Sequence, residues 1–576
     1  MDNAEKLLEL ARGKFGKFGG AEEKLFRAVA NGDTADYSAG TEEDNDPAKA
    51  GDWGEERRLK ADRIAWLCTD PQAKELVTKN GIQIQGAFIG GKLDLQFARI
   101  PFPLLFYRSA FLEEINMLHA EICTLVLSGT HTGHIKADGL NVEGNIFLRD
   151  GFKADGEVRL LGAKIGGNLD CSKGQFVNQG AMALIADGLK VEGGVYLRNG
   201  FKAEGEIRLP RAIIGVDFDC GNGQFVNEGK NALTADGLKV EGGVFLQDAN
   251  VSGEVSLISA TIGRNLACTG GQFVNKGARA IIADGAKVDG NVFLRNGFKA
   301  KGEVDFIGAT IGGYFVWTGV KSPMDVTLDL RSARIGALCD DENSWQGKGR
   351  LFLDGLVYDR IDDDAPKDAK SRIEWLHRQG DERFRPQPYE QLAEVLRKDG
   401  HDEDAREVLI QKNKDKARLT GLTFGEWLWY RVFGPVIGYG YRPLGALKWI
   451  VLFIVLGWIF FGYGYKGGLI TPEGESAYVT KEIITAGGKE VKKELSELYP
   501  KFNFLVYSIE AFLPVVNLYE VKYWLPNANR GAEVFKCCWF TLRLGGLLRI
   551  YFWVHICFGW ILTTLFVVGL TGLVRT

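Results

Sequence analysis

The chain predicts a mainly β protein: a parallel β-solenoid of about 24 residues per coil, with an N-terminal helical cap, a helical hairpin and a C-terminal two-span helical membrane region that holds a re-entrant segment. Three observations carry this. Glycine supplies 74 of 576 residues, where average usage of about 7% would give roughly 40; proline, at 15, is not raised with it. A repeat of 49 residues fills the middle of the chain. Eight of the 13 tryptophans, and the only long uncharged runs, follow residue 420.

The repeat is explicit. ADGLNVEGNIFLRDGFKADGEVRLLGAKIGGNLDC begins at Ala137 and returns at Ala186 as ADGLKVEGGVYLRNGFKAEGEIRLPRAIIGVDFDC. Shorter copies start at Ala235 and Ala283, so the spacings are 49, 49 and 48. Within a unit, apolar-x-Gly-x-apolar-x-apolar recurs, as in Val142/Gly144/Ile146/Leu148 and Ile165/Gly167/Leu169/Cys171. Alternation of apolar and polar residues is the period of a strand with one buried face. Strands every 11 or 12 residues leave no room for helices between them. Two coils per unit follow, stacked about 4.8 Å apart, with equivalent side chains in ladders. Cys171, Cys220 and Cys268 then share one interior column, and the QFVNxG elements at Gln175, Gln224 and Gln272 mark an equivalent corner or loop. Weaker copies, AFIGGKLDL from Ala87 and ARIGALC from Ala333, extend the solenoid to residues 81–360. The runner-up, an array of β-sandwiches, does not account for so constant an interval.

A solenoid needs its ends covered, because open strand edges template aggregation. Residues 1–80 hold two amphipathic stretches, AEEKLFRAVANG from Ala21 and EERRLKADRIAWLCTD from Glu55, that read as helical caps. Residues 361–420 hold an acidic linker, IDDDAPKDAK, and two helix patterns joined at Gly400. This tetratricopeptide-type hairpin has Leu392, Val395, Leu396, Val408 and Leu409 as its seam. Packing is its expected role; a peptide groove is the alternative.

Residues 421–576 read as a membrane domain. Trp449–Tyr465 has no charged residue, and with Leu444–Leu447 it reaches the roughly 20 residues that cross a bilayer. Ile550–Val574 is a second such run. Between them, FNFLVYSIEAFLPVVNLY (Phe502–Tyr519) carries a central Glu510 and Pro514, which suits a re-entrant segment better than a span. Lys412, Lys414, Lys416, Arg418, Arg431, Arg442 and Lys448 crowd before the first span, which puts that flank in the cytoplasm. The N-terminus has no secretory signal pattern, so the expectation is a membrane protein with both termini cytoplasmic and 466–548 on the far side. Phe424–Pro443 mixes aromatics with arginines and reads as an interfacial helix, anchored by Trp427, Trp429, Arg431 and Arg442.

The order of interfacial helix, span, loop, short apolar helix with proline, and span resembles the two-span pore-loop cation channels. FNFLVYSIEAFLPVVNLYEVKYWLP (Phe502–Pro526) carries the likeness, at the place of a pore helix and filter. The whole chain also resembles a bacterial group of uncharacterised membrane-associated β-solenoid proteins, through AEEKLFRAVANG, RIAWLCTDP, PYEQLAEVL and the terminal HICFGWILTTLFVVGLTGL. The channel likeness implies a homo-oligomer in the lipid bilayer, with inorganic cations passing a ring of repeated groups. Glu510, Pro514, Asn517 and Glu520 are the pore and selectivity candidates, and His555, Thr563 and Thr564 the candidates for lining by the second span. The stretch Val515–Tyr519 has no glycine, so a TVGYG-like potassium filter is not carried over. The blander alternatives are that Glu510 pairs with a nearby cation and that His555 hydrogen-bonds a neighbouring helix.

Other chemistries rank lower. The balance of 70 basic and 74 acidic residues leaves no electrostatic footprint for nucleic acid. Nine cysteines contain no CxxC pair, Cys537 and Cys538 adjoin too closely for a zinc knuckle, and His131/His134 is an isolated HxxH, so no metal is expected. No dinucleotide fingerprint, P-loop or GxSxG appears, and the solenoid carboxylates recur with the repeat as solvated positions do. The expectation is therefore a non-enzyme without cofactor and without catalytic residues. The alternative to a channel is a membrane-anchored scaffold whose solenoid recruits a cytoplasmic protein partner.

Overall fold

The computed structural model describes residues 2–380, 384–418, 422–474, 477–485, 488–537 and 540–571. These form two compact units, Met1–Val408 and Leu409–Thr576. Cys538 and residues 419–420 and 572–574, which belong to elements expected above, lie outside the described residues.

The first unit is a parallel β-solenoid. Most coils contribute two short strands to one sheet and, to the other, two short strands in the first coils and one longer strand from Gln175 on; every solenoid pairing is parallel. One outward column runs Arg99, Glu121, Asn141, Lys164, Lys190, Ile213, Lys239, Thr261, Lys287, Thr310, Arg334, Val357 in direct register. The spacing is therefore close to 23 residues, and the 49-residue unit divides unequally: Lys164 to Lys190 is the wide coil and Lys190 to Ile213 the narrow one. The QFVNxG element causes the difference. It is neither a corner nor a connecting loop but part of an eleven-residue strand, Gln175–Ile185, standing beside the seven-residue Lys202–Arg208. The long strand pairs at Gln175–Val177, bulges outward, and pairs again at Met182, Leu184 and Ile185. The Asn178 side chain donates to the Met182 carbonyl at 2.7 Å and closes the bulge; Asn227 and Asn275 repeat this with the carbonyls of Asn231 and Arg279.

Inside, the ladders follow the expected columns. Cys171, Cys220 and Cys268 are buried as free thiols, and burial raises all three thiol pKa values. Phe152, Phe176, Phe201 and Phe225 stack with ring centroids 5.3–5.5 Å apart. A polar column, half-buried at Asp138, Asp187, Asp236 and Asp284 and buried at Asp305 and Asp329, changes character along the solenoid. Asp138 binds Arg159 and Asp187 binds Arg208, while Asp236 accepts from the Ser256 hydroxyl at 2.5 Å. At the next level Asp284 faces Asp305, whose own neighbour in register is Asp329. Arg331 binds Asp329. Burial and the Asp284 carboxylate push the Asp305 carboxyl up to about 7.

Both ends are covered, and the N-terminal cover goes further than expected. Helices α1 (Asn3–Phe15), α2 (Gly20–Asn31), α3 (Ala61–Thr69) and α4 (Pro71–Glu75) pack there. The stretch from Glu55, expected to be helical throughout, starts as a 3-10 turn and then forms the strand Arg58–Lys60. That strand pairs with Phe88–Gly90, and Ala35–Asp36 pairs with Ile84–Gln85. The open edge of the first coil offers backbone partners, and these outweigh the local helical periodicity.

At the other end the acidic linker is ordered: Asp368 caps α5 (Ala369–Leu376) by accepting from the Ser371 amide. Arg372 of α5 is fully buried and makes a two-pronged bond to Asp340 of the solenoid at 2.7 and 3.0 Å. Next come α6 (Gln387–Lys398) and α7 (Asp402–Lys416), on either side of Gly400, with Leu392, Val395, Leu396, Val408 and Leu409 buried.

The second unit begins within α7. The expected interfacial helix is broken into α8 (Phe424–Leu428), a π turn at Trp429–Phe433 and α9 (Gly434–Val436), ahead of Pro443. Two long apolar helices follow, α10 (Gly445–Lys466) and α13 (Leu544–Thr571), with mean hydropathy of 2.0 and 1.9 over their most apolar stretches. Both are long and apolar enough to cross a membrane, and only 22% of each stretch is buried. A core helix of a soluble protein would be enclosed instead. Between them lie α11 (Phe504–Phe512) and α12 (Glu520–Tyr523), a short ladder of Ile470–Pro472 on Trp524–Pro526, and two hairpins, Tyr478–Thr485/Gly488–Leu495 and Glu533–Cys537/Phe540–Arg543.

Candidate functional site

The second unit centres on α11, a nine-residue apolar helix packed against both α10 and α13. Asn503 caps it by accepting from the amides of Leu505 and Val506. Its contact with the long helices depends on two glycines. A Cβ at Gly457 of α10 would strike the Ser508 hydroxyl and the His555 ring, and one at Gly559 of α13 would strike the Phe512 carbonyl. Small residues at crossings of apolar helices allow backbones this close.

Ser508 and His555 join the three helices. The Ser508 hydroxyl donates to the Ile454 carbonyl at 2.7 Å. His555 is fully buried, and its Nε2 lies 3.1 Å from the Ser508 carbonyl and 3.4 Å from its hydroxyl. A carbonyl only accepts, so the hydrogen sits on Nε2 and Nδ1 is left to accept from the Tyr551 hydroxyl at 3.4 Å. Aromatic rings enclose the imidazole: Phe461 at 5.4 Å, Phe512 at 5.0 Å and Tyr551 at 5.6 Å between centroids. His555 is thus placed between helices of one chain. Thr563 is half-buried with its hydroxyl enclosed and unbonded, and Thr564 is exposed.

After α11 the chain turns at Pro514–Val515, runs extended, and re-enters α12. The loop presents apolar side chains outward: Val515 is 89% exposed, Tyr519 56% and Leu518 46%. Asn517 is exposed, and its side-chain oxygen accepts from the Tyr519 amide at 3.2 Å. Tyr519 holds φ at +64°, an unusual place for a bulky aromatic. Glu510, half-buried on α11, turns toward the chain and accepts from the amides of Glu520 at 2.6 Å and Val521 at 3.0 Å. Glu520 is half-buried, with Oε2 enclosed and without a hydrogen-bond partner. Sequence reasoning had grouped Glu510, Asn517 and Glu520; the fold places Glu510 on α11, Asn517 in the loop after it and Glu520 at the start of α12, with Glu510 accepting from the Glu520 amide. That reasoning missed Ser508 and Tyr551; the signal for Ser508 was a small polar residue inside an apolar run facing Gly457.

Of the anchor candidates, Trp427 and Arg442 are exposed, Trp429 is half-buried, and Arg431 donates Nε to the Ala417 carbonyl at 3.2 Å. In the solenoid, His134 accepts from the Glu157 amide through Nδ1. No group of three or more His, Cys, Asp or Glu among the described residues is placed to hold a metal ion. In comparisons with protein-family models, curated proteins and solved structures, nothing matches the chain.

Proposed function

We propose that the protein is a homo-oligomeric, channel-like protein of a bacterial inner membrane, with a cytoplasmic β-solenoid that gates the membrane domain or recruits a partner to it. The observation that carries this reading is the short α11 held between two long apolar helices by Gly457, Ser508, His555 and Gly559, with an exposed apolar loop after it. A half-length helix is tolerated at membrane depth where protein or a water-filled cavity surrounds its ends. Two spans enclose too little to form a path alone, so symmetry-related copies would bring the Leu513–Tyr519 loops together around an axis. The outward aromatic and aliphatic faces of α10 and α13, including Trp449, Trp458, Trp553 and Trp560, suit lipid or a second copy. Inorganic cations are the cargo this reading assigns, with Asn517 and the loop carbonyls nearest the constriction.

The test is purified full-length protein in planar bilayers, with the oligomer measured by native mass spectrometry. Cation-selective current from a ring of copies is expected. A monomer without current under voltage, tension or pH steps overturns the reading and leaves a membrane-anchored scaffold.

A further inference from the structure

We propose that Glu510 is a positioning residue: its carboxylate fastens the far end of the Leu513–Tyr519 loop to the helix that carries the loop, and does not face the ion path. This rests on the channel reading for its consequence, though not for its geometry. One oxygen, Oε2, takes both of the first two amides of α12, at 2.6 and 3.0 Å. Those amides have no helical partner, since a helix start leaves its N–H groups open, and a carboxylate meets them with charge-assisted bonds. The remaining loop is tied at its near end, where the Val516 amide reaches the Leu513 carbonyl, and in its middle by Asn517 on the Tyr519 amide. Between the middle tie and the Glu510 tie sits Tyr519 in its left-handed conformation.

A non-glycine residue persists at positive φ only where its surroundings hold it there. Here the backbone is held by Glu510 on one side and Asn517 on the other, with the Lys522 ammonium 5.9 Å from the Tyr519 ring. Releasing the carboxylate frees Tyr519 to relax toward negative φ, which swings Asn517 and Leu518 and changes the width of the loop. The charge of Glu510 is spent on the backbone, so its removal acts through shape.

Full-length protein in nanodiscs, compared by hydrogen exchange over the peptide spanning residues 513–523, reads the fastening directly. Glu510→Ala is expected to speed exchange of the Glu520 and Val521 amides on the order of 10- to 100-fold. Glu510→Gln, which keeps one acceptor oxygen without charge, is expected to speed it by about tenfold or less. Should the alanine variant fail to fold, the glutamine variant decides. In Tyr519→Gly the positive φ is free of strain, and Glu510→Gln should then accelerate exchange less than it does in the parent. Unchanged exchange in the Glu510 variants overturns the proposal. So does a fall in the cation-to-anion permeability ratio in Glu510→Gln, which marks a charge facing the ion. Absence of current in the parent protein removes the channel reading alone, because the exchange result stands without it.

Discussion

Replacing Arg372 with methionine should unfasten the C-terminal end of the solenoid and leave the rest intact. Arg372 is fully buried and Asp340 is 3% exposed. The pair is joined by two bonds, Asp340 also accepts from the Trp345 indole at 2.8 Å, and the Arg372 Nε donates to the Pro366 carbonyl at 2.5 Å. In Arg372→Met the volume is largely kept, but Asp340 remains as a buried carboxylate with one donor. Breaking such a pair from one side costs about 3–5 kcal/mol. At about 1.4 kcal/mol per tenfold, that raises the local opening constant by roughly 10²- to 10⁴-fold. Each coil touches only its neighbours, so the loss should stay near the break. Hydrogen exchange on the full-length protein would show it in Arg334–Asp340, Val357–Ile361 and α5, with peptides around Asn141–Val142 unchanged. Adding Asp340→Asn, which removes the stranded charge and keeps an acceptor for Trp345, should recover most of the loss. Equal loss in the single and double variants, or none in Arg372→Met, would refute this account of the end.

Two further outcomes are expected. The folded protein keeps a proton on Asp305 up to about pH 7, whereas an unfolded chain releases it near the ordinary carboxyl value of about 3.9. The native state therefore binds the extra proton between those values, and stability falls as pH rises through that window. Thermal unfolding of the solenoid should have a lower midpoint at pH 8 than at pH 5.5, and Asp305→Asn should flatten the difference; a parent midpoint that rises across the window contradicts the carboxyl pair. In the second unit, Gly559→Val should lower the melting midpoint in detergent, with a cost of about 1–3 kcal/mol from overpacking. Gly462→Ala is its control, because a Cβ there meets only Phe504, at 3.7 Å. Equal effects of the two would contradict the close crossing.

Much of this architecture is legible because a solenoid makes equivalent residues neighbours. Cys171, Cys220 and Cys268 had to share a column once their interval matched the coil pair. The unequal division of that interval was not legible: a repeat length reports the sum of two coils, and only pairing shows that Gln175–Ile185 bulges. The strand Arg58–Lys60 was hidden for another reason. Its residues fit a helical period, and the deciding partner, Phe88–Gly90, is remote in sequence. In the second unit, composition located α10, α13 and the polar group at Glu510, Asn517 and Glu520. It could not show that Glu510 turns back onto backbone amides, because that follows from the course of the loop after Pro514. The close crossings occur at Gly457 and Gly559.

Between Lys164 and Thr310 the alternation of wide and narrow coils makes the solenoid a ruler. Bulges starting at Asn178, Asn227 and Asn275 fall on every second coil of one sheet, which sets them about 9.6 Å apart. Gln224–Thr234 and Gln272–Ile282 each lie between two seven-residue strands, whereas Gln175–Ile185 has Lys202–Arg208 on one side and the short Lys153–Asp155 and Val158–Arg159 on the other. A single coil inserted in this stretch would set wide against wide or narrow against narrow. Gain or loss of a whole 49-residue unit keeps the alternation and alters the length by one division. Narrow coils already stack on narrow ones at both ends of the solenoid, so the even steps belong to this middle stretch.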